Sequence, residues 1–122
     1  MRYMITIYSN PSAEAALAAG DLDIQAVHGA IIEDLIASKE FVDTNELDLE
    51  NVTVIGHYNG KPVATRGPFT EGTEYVGGYY IVDVASHERA VEIAGRFLEV
   101  EHSPIEIRRM LHTAELVNAE EN

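Results

Sequence analysis

Among the five histidines of this chain, His28 is the one whose surroundings suit chemistry best. Its neighbours Ile24, Val27, Ile31 and Leu35 recur at helical spacing, with Ile32 and Ile36 widening the stripe. A helix there would hold the imidazole on or beside the apolar face. With an ordinary pKa of about 6.5, such a ring can act as a general base once a carboxylate fixes its tautomer. Asp43 follows the helix, with Glu46 and Asp48 as competing acids. The same histidine could equally be a hydrogen-bonded residue at the edge of the core.

The other histidines offer less. His57 precedes a turn, His87 opens a helix, His102 falls in a loop and His112 at a strand end. None shows the His-x-His, His-x₃-His or His-Glu-x-x-His spacing of a metal site, so no metal is expected. The chain has no cysteine, which removes thiolate nucleophiles, disulfides and cysteine-ligated metals. No nucleophile elbow, phosphate loop or dinucleotide fingerprint occurs, and no cofactor is expected. Tyr3, Tyr8, Tyr75, Tyr79 and Tyr80 fall in strand-like segments. They could line an aromatic pocket or serve packing.

The elements that must position these groups can be read in order. Arg2 to Tyr8 alternates like a strand and ends at Ser9-Asn10-Pro11. A short alanine-rich helix is expected over Pro11 to Ala19, then a stronger one from Asp21 or Asp23. A short strand is expected around Phe41-Val42. Val52 to Tyr58 and Lys61 to Thr65 flank Asn59-Gly60, the dipeptide of a type I′ hairpin. Tyr75 to Val84 is the longest strand candidate, interrupted by Gly77-Gly78, which implies a bulge or a close approach of backbone. Ser86 caps a helix expected to reach Phe97, and Ile105 to Met110 closes the fold.

This order, βαββαβ with an inserted β-hairpin, implies an α+β fold: a ferredoxin-like antiparallel sheet with helices on one face. By strict alternation, Val76, Tyr80, Val82 and Val84 share one face of their strand and Tyr75, Tyr79 and Ile81 the other. Both faces are apolar, so the face without helices needs a second cover. A homodimer packed sheet to sheet would supply it. At 122 residues the simplest division is one domain over 1–112 and a C-terminal tail over 113–122.

Formal charge is −13, from 21 acidic and 8 basic residues. Such a surface repels phosphate backbones, so neither nucleic acid nor an anionic membrane is an expected partner. The N-terminal segment lacks a signal-peptide pattern, and no stretch approaches the roughly 18 apolar residues of a membrane span. A cytoplasmic location is expected.

Lys61-Pro62, Thr65 to Phe69, Glu71, Gly77 to Tyr80 and Asp83, with the closing Ile105-Glu106-Ile107-Arg108, resemble the YCII-related family in its DGPF-type branch. The resemblance covers nearly all of the chain apart from the tail. It implies a ferredoxin-like subunit in a dimeric α/β-barrel arrangement, with a small-molecule cleft near sheet and interface. Activity in that family is mostly unassigned. It includes a proposed dyad of a helix histidine and a downstream aspartate, which map here to His28 and Asp43, and one dehydrochlorinating lineage. The resemblance therefore implies a small-molecule-binding protein, whose catalytic form would be a lyase, isomerase or dehalogenase-type enzyme. The rival readings are a non-catalytic ligand-binding or sensing module and a structural dimerisation domain. Where the branch carries aspartate before Gly-Pro-Phe, this chain has Arg66. Its planar guanidinium could hold a carboxylate or phosphate, or pair with Glu71 or Glu74 across the loop. Arg66, Phe69 and Tyr79 are the candidate ligand-binding side chains.

Overall fold

Alternation makes Arg2–Ser9 a strand, β1, with Tyr3, Ile5 and Ile7 buried and the residues between them only partly so. The computed structural model describes residues 1–67 and 74–112. Asn10 ends β1 and starts helix α1 (Pro11–Ala19), its side-chain oxygen accepting from the Ala13 amide. Pro11 follows it inside the first turn, where no amide proton is needed. Asp23 caps α2 (Ile24–Ala37) by accepting from the amides of Gln25 and Ala26.

Helix α2 stops in a Schellman turn. The Glu40 amide donates to the Leu35 carbonyl and the Lys39 amide to that of Ile36, with Lys39 at φ 65°. The apolar stripe is narrower than the spacing suggests: Ile31 and Leu35 are fully buried, whereas Ile36 is exposed.

Strand β2 (Phe41–Glu46) outruns the short segment expected from Phe41-Val42, because its polar residues pair along the next long strand rather than forming a loop. β3 (Thr53–Tyr58) and β4 (Lys61–Arg66) form a separate two-stranded sheet. Asn59 and Gly60 both have positive φ, 51° and 76°, as a type I′ turn requires. Strand β5 (Tyr75–Asp83) leads through the Ser86 cap into α3 (His87–Ala94). That helix ends three residues before Phe97. Phe97 is extended and buried, and a single 3₁₀ turn over Leu98–Glu101 precedes the last strand, β6 (Ile105–Arg109).

The main sheet has the order β2-β5-β1-β6, all pairs antiparallel. Without the β3–β4 hairpin, and counting α1 and α2 as one helical layer, the element order is βαββαβ. Helices α2 and α3 bury Ile31, Leu35, Ala90 and Ile93 against Ile5, Tyr80 and Val82. Among the described residues no single helix is long and apolar enough to cross a membrane.

The glycine pair explains one departure from strict alternation. Ile7 pairs with Gly78 but Tyr8 pairs with Val76, so Gly77 is the extra residue of a β-bulge. Directly paired residues share a face. The bulge therefore turns Val76 to the helix-free face beside Tyr8, and Tyr75 to the helix side, where its hydroxyl donates to Glu14 of α1. Gly78 serves a different need. A Cβ there would lie 2.9 Å from the Asn45 carbonyl oxygen of β2, so only glycine lets the two backbones approach this closely.

Candidate functional site

The centre of the site is assembled from three elements. Helix α2 lays His28 against the sheet, β5 presents Tyr80 to the same side, and the 3₁₀ turn brings Glu99 to the far edge of the ring. His28 Nδ1 is 2.7 Å from the Tyr80 hydroxyl and Nε2 is 2.7 Å from Glu99 Oε2. The Phe97 ring packs against both rings, with centroids 5.3 Å from His28 and 4.7 Å from Tyr80. Tyr80 and Glu99 are buried and His28 is partly so.

These contacts constrain the protons. A carboxylate can only accept, so an ionised Glu99 requires a proton on Nε2, which leaves Nδ1 to accept from the Tyr80 O–H. Burial, reinforced by the nearby charge of Glu99, pushes the Tyr80 phenol up to about 12 against the opposing pull of the Thr44 hydroxyl. Tyr80 thus keeps its proton near neutral pH. A proton delivered to Nδ1 would create an imidazolium whose Nε2–H already faces a carboxylate. The order Tyr–His–Glu is that of a hydrogen-bonded relay with an orienting acid at its end.

The second Glu99 oxygen, Oε1, is buried and has no hydrogen-bond partner among the described residues. Such an unmatched acceptor costs about 1–3 kcal/mol. Glu99 also helps line a cleft of about 290 Å³, just under the roughly 300–1,000 Å³ range of ligand pockets. His28, Tyr80 and Glu99 all belong to its wall. Leu17, Ile24, Ile32 and Leu49 supply apolar surface, and Gly77-Gly78 lie along it. Among the described residues no three His, Asp or Glu side chains converge to hold a metal ion.

The residues expected from the sequence are only partly brought together. His28 is in the cleft wall; Tyr79 borders the cleft as well, although its pairing with Thr6 and Asn45 sets its side chain on the helix-free face. Asp43 is not brought to His28. It pairs with Ile81 in the ladder, and its Oδ2 accepts from the Tyr79 hydroxyl at 2.8 Å. Residues paired this way occupy the helix-free face, opposite His28, whose two ring nitrogens are engaged by Tyr80 and Glu99. The Asp43 hydrogen bond raises the Tyr79 phenol above its ordinary value.

Asp48 is a turn residue. It accepts from the amides of Glu50 and Asn51, chiefly that of Asn51, and this holds its carboxyl below the ordinary range. Glu46 does line the cleft. Arg66 ends β4 opposite Thr53, is exposed, and does not line the cleft. Glu74 accepts from the Asn10 side-chain amide. Phe69 and the 113–122 tail lie outside the described residues.

Glu99 and the role of Tyr80 escaped the sequence reading. In Phe97-Leu98-Glu99-Val100-Glu101, continued helical spacing from Ala94 and Phe97 would turn Glu99 to water and Glu101 onto the apolar face. Only the extended backbone at Phe97 and the following 3₁₀ turn separate buried Glu99 from exposed Glu101.

A search of curated proteins finds no match. Among solved structures, the chain is similar to 5-chloro-2-hydroxyhydroquinone dehydrochlorinase (TftG) from Burkholderia phenoliruptrix AC1100, in complex with 2,5-dihydroxybenzoquinone. Identity is 17%, the TM-score is 0.47, and the likeness covers 94% of this chain and 98% of the other. The YCII-related domain family matches residues 1–113. With so much of its length accounted for, the chain belongs to the YCII-related domain family.

Proposed function

We propose that this protein is an acid–base enzyme of the lyase or isomerase type, acting on a small molecule held in the cleft. The observation that carries the reading is the His28 ring, bridged at 2.7 Å on both nitrogens by Tyr80 and Glu99 in the cleft wall. As substrate gives up a proton to the Tyr80 oxygen, the tyrosine passes its own to His28 Nδ1. Glu99 stabilises the resulting imidazolium through Nε2–H. Reversing the same transfers delivers a proton to the product, so the relay ends in its starting state. Glu99 takes the orienting role that the family resemblance gives to Asp43.

Replacing His28 with glutamine keeps two polar ends but removes the proton acceptor. Turnover of a substrate found by screening small molecules should fall by roughly 10²–10⁴-fold, the usual worth of a general base, with the fold retained by circular dichroism. Unchanged turnover in that variant refutes the role.

The dimer belongs to the same proposal. Met4, Tyr8, Val76, Tyr79 and Ile81 lie on the helix-free face, none of them fully buried. Association of two copies through this face would cover them. Light scattering should give twice the chain mass, and Ile81→Glu should return the protein to monomer. A monomeric wild type contradicts this part alone.

A further inference from the structure

The charges around the cleft point to the class of its ligand. Glu14, Glu46 and Glu99 all line it. All eight lysines and arginines of the chain lie within the described residues, and none of them lines the cleft. Arg89, Arg96 and Arg108 are committed elsewhere, to Glu40, Asp34 and Glu106. An anionic ligand would therefore enter a low-dielectric cleft with three carboxylates and no compensating cation, inside a chain of net charge −13.

An independent observation identifies what is wanted instead. Glu99 is only 8% exposed, and Oε1 lacks a hydrogen-bond partner among the described residues. Glu99 is part of the cleft wall, so a ligand donor that reached this oxygen would satisfy it. The apolar surface from Leu17, Ile24, Ile32 and Leu49 suits a single ring or short aliphatic body.

Resting on the relay described above, we propose that the ligand is an organic cation, a protonated amine on a small apolar body. Its ammonium group is held by the carboxylates of the cleft wall, Glu99 and Glu46 among them. Charge complementarity selects the amine against neutral and anionic analogues of the same shape.

Benzylamine, benzyl alcohol and benzoate are matched probes. Each is titrated at pH 7 into the full chain, with amide chemical shifts along the cleft as the readout. Benzylamine should bind at least about tenfold more tightly than benzyl alcohol, and benzoate should not bind. Glu46→Gln should weaken benzylamine several-fold and leave benzyl alcohol unchanged. Equal affinity for amine and alcohol, preference for benzoate, or no benzylamine shift at the cleft overturns the assignment.

The protonation state of His28, read by nitrogen NMR in the same samples, separates this from the relay. Amine preference with an unprotonated Nε2 sinks the relay and leaves the ligand class standing. A protonated Nε2 without amine preference does the reverse.

Discussion

Adjacent glycines in β5 should respond oppositely to the same added methyl group. At Gly78 a Cβ would sit 2.9 Å from the Asn45 carbonyl oxygen. That oxygen belongs to the backbone of a paired strand and cannot swing away, so β2 and β5 must separate. Overpacking of this kind costs about 1–3 kcal/mol. At Gly77 the nearest atoms to a new Cβ are Ser9 Cβ at 3.5 Å and the Ile7 carbonyl oxygen at 3.6 Å, ordinary contacts. Alanine there restricts the unfolded chain and should be worth roughly 0.4–1 kcal/mol of added stability. Urea unfolding of both variants gives the comparison directly. For a chain of this size 1 kcal/mol moves the melting temperature by roughly 4 °C. Gly78→Ala should therefore melt about 4–12 °C lower, and Gly77→Ala about 2–4 °C higher, than the wild type. If both variants lose the same stability, the division of labour between bulge and close approach is wrong.

Other perturbations test other parts of the fold. Arg89 donates from Nε and Nη2 to the two oxygens of Glu40, joining α3 to the turn after α2; Arg89→Ala should cost about 1–2 kcal/mol in chemical unfolding. That hydrogen bond holds Glu40 below its ordinary 4.5. The stabilisation is thus present above 4.5 and lost as pH falls through the lower folded value, so the gap between wild type and Arg89→Ala should shrink in acid. A gap that widens in acid would contradict the sign. Lys39, at φ 65° in the Schellman turn, should gain roughly 0.5–1 kcal/mol when changed to glycine, read as a higher urea midpoint. Leu35 is fully buried beneath α2, and Leu35→Ala should cost about 2–5 kcal/mol.

Much of the frame was legible because local chemistry decided it. Asn10, Asp23 and Ser86 announce helix starts, Asn59-Gly60 announces its turn, and the alternation of β1 sets its buried face. Three things depended on contacts distant in sequence. The bulge at Gly77 reversed the faces of Tyr75 and Val76, because register is settled by the partner strand and not by counting in twos. Strand β2 extended through Asp43, Thr44 and Asn45 because β5 supplied its hydrogen bonds. The acid beside His28 came from Glu99, 71 residues away, where the backbone bend at Phe97 redirects a side chain that helical periodicity would place in water. His28 itself was legible from its position on the stripe. Its partners were not.

The central claim, that His28 links a phenol to a carboxylate as a proton relay, is tested most directly by the proton positions on the ring. Multiple-bond nitrogen–proton NMR on histidine-labelled protein distinguishes the two tautomers. The relay predicts a neutral ring with the proton on Nε2 and Nδ1 unprotonated and hydrogen-bonded. Tyr80→Phe should then shift the Nδ1 signal and Glu99→Gln the Nε2 signal. A proton on Nδ1 with Nε2 bare would mean that Glu99 holds the proton and donates it to the ring, and the relay as described would be refuted.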